Sequence, residues 1–492
     1  MSTDSATALY TAAQVRALDA HAIDALGVPG IELMRRAATA ALAELQRRWP
    51  RARRVVVLCG PGNNGGDGFL LGALALARDL EVEAVALSAT AHGDAGQARQ
   101  AFVAAGGTVR LADEGMVLPG ADVYVDALFG TGLARGLEGV AAHLVEALNT
   151  AQMPVLALDI PSGLSADTGA CLGPTVHATA TVGFVAWKRG LFTHEANDCC
   201  GARLLDTLQL PAALHAMQSA DARLLRVSAL PPRPRASHKG NYGHVLVVGG
   251  ELGFGGAVHL AGEAALRVGA GLVSVATRAA QVGALNAARA ELMAHATEDL
   301  PALQPLLAQA SVLALGPGLG QGDWGRAMWR AALATDMPLV LDADGLNLLA
   351  MHPQALRRPA VLTPHPGEAA RLLGTDIASV QADRFAAARA LAAQHAAVVV
   401  LKGSGSLVAD ADGRLAVCPW GNPGMASGGM GDVLTGVIAG LLAQGLAPWD
   451  AACLGVGLHA RAGDAAARAG ERGLLASDLF PHLRARVNGR DG

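Results

Sequence analysis

Short apolar runs alternate with longer helix-forming stretches along the whole chain, the pattern of an α/β protein. In the first half, strands are predicted at 55–59, 82–87, 123–126, 155–160, 181–184 and 204–208. Thr11-Ala12-Ala13-Gln14 has the spacing of a capping box and predicts a helix to about residue 26. The pattern restarts with strands expected at 244–248, 272–276, 312–315, 339–342, 361–363 and 398–401, with alanine-rich helices including 383–395 and 451–467. Between the halves, Leu230-Pro231-Pro232-Arg233-Pro234-Arg235 reads as a linker. The expected organisation is a domain at 1–218, a linker at 219–236 and a second domain at 237–488. No internal repeat is visible, so the halves are read as distinct sites.

The 492 residues are 52% hydrophobic and 16% charged, enough for a large core. Mean hydropathy is +0.33, but alanine supplies much of it and aromatics are only 3%. The uncharged run 433–449 contains Gly436, Gly440, Gly445 and Pro448, and reads as a buried helix plus a turn, not a membrane span. The net charge of −4 argues against a nucleic-acid surface. The six cysteines show no C-x-x-C pair or metal-ligand spacing and read as reduced thiols. With no apparent signal peptide, a cytoplasmic protein is expected. The adjacent Cys199 and Cys200 find no role at this stage.

Three polar, glycine-bearing segments fall at predicted strand ends in the first half. Gly60-Pro61-Gly62-Asn63-Asn64-Gly65-Gly66-Asp67-Gly68 follows one strand and precedes a helix expected from Phe69, which makes an anion cradle or a plain tight turn. Asp126 to Leu133 follows a second strand, and Asp159-Ile160-Pro161-Ser162-Gly163 ends a third. Ligands in open α/β sheets bind at such ends, although either aspartate alone could be a cap. Asn64, Asp126 and Ser162 bring oxygens suited to a hard monovalent cation.

The second half carries Gly428-Gly429-Met430-Gly431-Asp432 directly before an apolar helix. Backbone N–H groups there can hold a phosphate, and Asp432 could take a proton from a hydroxyl attacking it, or simply cap the helix. There is no Walker A lysine and hydroxyl pair. Gly255-Gly256-Ala257 and Gly316-Pro317-Gly318-Leu319-Gly320 are further glycine loops. Asp342 and Asp344 could be caps or could order a metal. His365 stands in a Pro/Gly-punctuated loop at another strand end. Lys402-Gly403-Ser404-Gly405-Ser406 suits nucleotide phosphates, or is a basic hairpin turn.

The segments NNGGDG, DALFGTGL and DIPSG, with Trp187-Lys188-Arg189-Gly190-Leu191 after them, resemble the NAD(P)H-hydrate epimerases. In order, HKGNYGHVLVVGG, GPGLG, DADGLN, TPHPGE, KGSGS and NPGMASGGMGDVLTG resemble the nucleotide-dependent NAD(P)H-hydrate dehydratases, which have a ribokinase-like fold. Together they cover nearly the whole chain, as in the bifunctional NAD(P)H-hydrate repair family. The resemblance implies a Rossmann-like three-layer αβα domain followed by a ribokinase-like αβα domain. It implies that Asn63, Asn64, Gly65, Gly66 and Asp67, with Gly130, Thr131, Gly132, Leu133, Ala134, Arg135 and Gly136, contact the hydrated dinucleotide. Asp159 would touch it as an acid/base. Asn64, Asp126 and Ser162 would hold K+. In the second domain, Ala257, Gly318, Gly320, His365 and Asp432 would face the substrate, with Asp432 catalytic. Lys402, Gly403, Ser404, Gly405, Ser406 and Gly431 would bind ADP or ATP, accompanied by Mg2+. The expected partners are hydrated NADH and NADPH and the nucleotide, with neither nucleic acid nor membrane, in a homo-oligomer.

Overall fold

The computed structural model describes residues 7–356 and 358–490. Its contacts separate two compact units, Met1–Arg223 and Leu224–Gly492. The stretch after the division packs on the second unit. Leu225 is buried there and its N–H donates to the Val417 carbonyl (2.8 Å), while Val227 and Leu230 lie against the same core.

The first unit holds a seven-stranded parallel sheet in the order Thr108–Leu111, Glu81–Ala86, Arg54–Cys59, Val123–Ala127, Val155–Leu158, Ala180–Phe184, Ala202–Asp206. Alternate residues of one strand enter opposite cores. Val55, Val57 and Cys59 join residues of the helices Gly30–Arg48, Asn63–Leu76 and Gly93–Ala104, whereas Val56 and Leu58 meet the helix Gly139–Thr150. Both faces are covered, so the strands are unbroken apolar runs. The predicted capping box is present: Gln14 N–H donates to Thr11 Oγ1 (3.2 Å) and Thr11 N–H to Gln14 Oε1 (2.9 Å).

One expectation changes. The helix after Arg54–Cys59 starts at Asn63, not at Phe69, so the glycine-rich segment is its first turns. Asn and Gly are poor helix formers, but here packing decides. A Cβ on Gly65 would overlap the Gly60 carbonyl, and one on Gly68 would press on Ala127.

The second unit has a mixed sheet. Met293–Ala296, Leu272–Thr277, His244–Val248, Val312–Leu315, Leu339–Leu341, Ala360–Leu362 and Val398–Leu401 run parallel, then Leu407–Ala409 and Leu415–Val417 pair antiparallel. The helices Gly255–Val268, Met430–Ala443, Pro448–Ala466 and Leu479–Val487 cover one face. In each unit, strand order reverses once within the parallel part: beside Arg54–Cys59 and Val123–Ala127, and beside His244–Val248 and Val312–Leu315. Those reversals open crevices at the carboxyl ends of the strands. Among the described residues, no helix is long and apolar enough to cross a membrane.

Candidate active sites

At the first reversal lies a cavity of about 710 Å³. Asn63, Asn64 and Asp67 reach it from the helix start, Gly130 to Arg135 from the next strand end, and Asp159 from the third. Gly65 and Gly66 do not line it. They are small because the Gly60 carbonyl and Met34 lie where their side chains would be. Gly136 likewise packs on the Leu172 carbonyl.

Asp159 has a left-handed backbone (φ 67°), unusual for a residue with a side chain. Its N–H donates to the Val182 carbonyl (2.8 Å). Its carboxylate is ion-paired to Lys188, whose buried ammonium also donates to the Phe184 carbonyl (2.9 Å). Two more carboxyls face this pair. Burial, opposed by Lys188 and reinforced by Asp159, pushes Asp19 up to about 6. Burial also drives Asp67 well above the usual carboxylate range, with Asp159 and Asp19 adding to it. The cluster therefore sets a paired carboxylate beside carboxyls that hold their protons more tightly, the division an acid/base site uses.

Beneath the cavity, Asp126 is fully buried. Its carboxylate accepts from Ser162 Oγ (2.6 Å), Ser162 N–H (2.8 Å) and Leu128 N–H (3.2 Å). Burial outweighs these hydrogen bonds and lifts it to about 6. Asn64 is buried nearby, and neither its Oδ1 nor its Nδ2 has a hydrogen-bond partner among the described residues.

In the second unit, Gly429 stands before the helix Met430–Ala443 with φ 90°, where a Cβ would strike Leu260. This fixes Gly431 and Asp432 in the first helical turn. Beside them, Lys402 Nζ donates to Asp342 Oδ1 (2.7 Å) and lies 3.7 Å from Glu368 Oε2. Thr435, one turn beyond Asp432, donates to Asp342 Oδ2 (2.8 Å). Both Asp342 oxygens are thereby engaged within the protein. Gly431 opens directly on this group: a Cβ there would lie 3.3 Å from Lys402 Nζ. Burial, together with Asp342 and Glu368 and against Lys402, pushes Asp432 up to about 7. Burial opposes the charge on Lys402, but the surrounding carboxylates hold its ammonium above its ordinary value.

His365 caps the helix Pro366–Leu373. Its Nδ1 accepts from Gly367 N–H (3.0 Å), and Glu368 returns a bond to the His365 N–H (2.8 Å). Burial, with Lys402 and Arg371, pulls the imidazole below its usual value, which keeps it neutral. Ala257 lies in the first turn of the helix Gly255–Val268, and the segment before that helix is joined to the loop of Gly318 and Gly320 by Gly250 N–H to the Pro317 carbonyl (3.1 Å) and Glu251 N–H to the Gly318 carbonyl (2.7 Å). Asp344 accepts from Gly320 N–H (2.9 Å) and orders this loop. Residues 403–406 join antiparallel strands as a hairpin turn, closed by Ser406 Oγ on the Gly403 carbonyl (3.0 Å). Beneath the turn, fully buried Arg384 donates to the Leu401 and Lys402 carbonyls (both 3.3 Å).

Sequence reasoning had assigned no role to Asp19, Lys188, Glu368 or Thr435. Two left a local signal: Glu368 has capping-box spacing from His365, and Thr435 shares a helix face with Asp432.

A family model described as NAD(P)H-hydrate dehydratase matches residues 245–484, and one described as YjeF-related protein N-terminus matches 30–190. A bifunctional NAD(P)H-hydrate repair enzyme of Coxiella burnetii is 48% identical over 490 residues, covering 98% of this chain and 100% of its own. The chain belongs to the bifunctional NAD(P)H-hydrate repair enzymes. It is accordingly an NAD(P)H-hydrate epimerase and an ADP/ATP-dependent dehydratase in one polypeptide. A ribokinase-like superfamily protein of Enterococcus faecalis is 32% identical, with a TM-score of 0.50 over 52% of this chain and 91% of its own. An ADP/ATP-dependent NAD(P)H-hydrate dehydratase from Bacillus subtilis, co-crystallised with ATP and Mg2+, is 32% identical, with a TM-score of 0.48 over 52% of this repair enzyme and 93% of its own chain.

Proposed function

We propose that the second unit dehydrates the S hydrate of NADH or NADPH by phosphorylating its C6 hydroxyl. The observation that carries this is the position of Asp432, in a helical turn opening on Lys402 and Asp342, with its carboxyl poised to titrate near neutrality. Asp432 takes the hydroxyl proton as the oxygen attacks the terminal phosphorus of ADP or ATP, and AMP or ADP leaves. Hydroxide is a poor leaving group and phosphate a better one. The ring-nitrogen lone pair expels phosphate, and loss of a C5 proton restores the dihydronicotinamide. The helix N–H groups at Met430 and Gly431 and the Lys402 ammonium meet the phosphate charge. Gly403 to Ser406 hold the nucleotide, while Ala257, Gly318, Gly320 and His365 face the hydrate. Both Asp342 oxygens are engaged by Lys402 and Thr435, so Mg2+ would enter with the nucleotide and would offset its phosphate charge.

The first unit interconverts the R and S hydrates, with Asn63, Asn64, Asp67 and Gly130 to Arg135 around the dinucleotide and Asp159 at the reacting carbon. In the same reading K+ is held by Asn64, Asp126 and Ser162. The orphaned, buried Asn64 amide and the buried Asp126 carboxylate are the support. Bound there, the ion would supply positive charge to the site of an anionic ligand. KCl is expected to raise the melting temperature of the first unit above tetramethylammonium chloride at equal ionic strength. Asn64→Ala should erase that difference; its persistence would move the ion elsewhere.

The overall test supplies mixed hydrates, ADP and Mg2+. Full recovery of reduced nicotinamide with one phosphate per molecule supports both assignments, whereas a stable phosphorylated product with no free phosphate would indicate a small-alcohol kinase. Because the base form of Asp432 grows as pH rises through about 7, kcat/KM for dehydration should fall about tenfold per pH unit below that point. A flat profile from pH 5.5 to 7 would remove Asp432 as the base. Homo-oligomerisation and a cytoplasmic location belong to the same proposal, and a monomer mass by light scattering would remove the first.

A further inference from the structure

Neither reaction uses the cysteines, but the fold brings two of them together. Cys171 Sγ lies 3.6 Å from Cys199 Sγ. Both are held in place. Cys171 pairs with Leu164 in a β-bridge, and its N–H donates to Glu195 Oε2 (2.7 Å). Cys199 ends the helix Ala196–Cys199, whose first N–H donates to the Gly169 carbonyl (3.1 Å). Cys199 is buried and Cys171 is partly exposed. The Cys199 thiol, with the Thr175 hydroxyl, supports a thiolate at Cys171 and holds it below its usual value against burial and the Glu195 carboxylate, whereas burial pushes the thiols of Cys59, Cys200, Cys418 and Cys453 up.

We propose that Cys171 and Cys199 are a hydroperoxide-oxidisable thiol pair, with Cys171 attacking and Cys199 resolving. The Cys171 thiolate takes one oxygen from the O–O bond, giving a sulfenic acid as the peroxide leaves as water or alcohol after protonation. The Cys199 sulfur then displaces that oxygen as water, and a disulfide forms. The sulfurs must close by about 1.5 Å to reach bonding distance. Cys200 is the poorer resolver, because it is the Cys199 sulfur that lies against Cys171.

The bridge would tie the loop that leaves the strand end carrying Asp159 to the segment that follows Lys188, and both Asp159 and Lys188 line the first cavity. The loop holding Cys171 starts at Ser162, where Val176 N–H donates to the Ser162 carbonyl (2.9 Å), and Cys199 lies beyond Lys188 and the turn Arg189–Phe192. The effect on turnover rests on the epimerase reading of that cavity; formation of the bridge does not.

The full chain would be treated with hydrogen peroxide, alkylated, digested and analysed by mass spectrometry. A linked Cys171–Cys199 peptide that dithiothreitol dissolves is expected. Cys171→Ser should abolish it, and Cys199→Ser should leave a Cys171 sulfenic acid that dimedone traps. A Cys199–Cys200 link, direct sulfinic acid at Cys171 or an unreacted Cys171 would overturn the pair. The bridged enzyme is expected to lose several-fold in epimerase kcat/KM, reversibly, with dehydration unchanged. Full epimerase activity in fully bridged protein would overturn the control of turnover while leaving the thiol chemistry standing.

Discussion

Asp432→Asn is expected to lower the dehydration rate by roughly a hundred- to ten-thousand-fold, the range typical of losing a positioned general base. Binding of the nucleotide and the hydrate should change far less, because the amide fills the same space and the Gly429 turn and Lys402 remain. The protein should also stay folded, and its stability shows which group was replaced. A carboxyl whose folded pKa of about 7 exceeds its unfolded value of 3.8 stabilises the fold fully only below the unfolded value, and loses that contribution as pH rises through 7. The variant has no such loss, so its stability relative to the parent should be greater at pH 8 than at pH 5. Single-turnover phosphate release and thermal melts at the two pH values make the check. Retained turnover, or a stability difference independent of pH, would count against Asp432 as a buried, titrating base.

The main parallel strands were legible because each is buried on both faces and so writes an unbroken apolar run. Strands at 244–248, 312–315 and 398–401 match the expected bounds. Strands went unseen where that pressure is absent, or where the buried run is too short to stand out. Thr108–Leu111 and Met293–Ala296 are sheet edges with largely exposed residues, and Leu407–Ala409 and Leu415–Val417 are three-residue hairpin arms. The helical start at Asn63 was hidden for a different reason: local propensity opposes it, and only the close approach of Gly60, Met34 and Ala127 favours it.

The sites divide in the same way. Residues fixed by backbone geometry announce themselves as glycine-rich segments at strand ends, which is why the loops around Asp432, Asp159 and Gly318 could be found. Partners that act through side chains arrive from distant helices with no local signature. Asp19 sits on an N-terminal helix whose sequence is explained by its buried Val15, Leu18 and Ala22, and only the folded chain turns its carboxyl toward Lys188.

That meeting of charges sets the second large effect. Lys188→Met removes the buried ammonium paired with Asp159, while the Phe184 carbonyl keeps the Ala186 N–H as a donor (2.7 Å). Breaking a buried pair on one side costs on the order of 3 kcal/mol, and a unit of this size should melt roughly 6–12 °C lower. Epimerase kcat/KM is expected to fall by at least about a hundredfold, because Asp159 then has two carboxyl neighbours and no cation. Adding Asp159→Asn should restore most of the melting temperature, since the uncompensated charge is gone, but none of the activity. A purely structural Asp159–Lys188 pair predicts the opposite, recovery of both together. The pH profile separates the readings further. Lys188 pulls Asp19 and Asp67 down against burial, so its loss should move their titration upward and shift any remaining epimerase activity to higher pH. Near-normal epimerisation in the single variant would exclude the Asp159–Lys188 pair from the chemistry and leave the cavity as a binding site whose acid and base lie elsewhere.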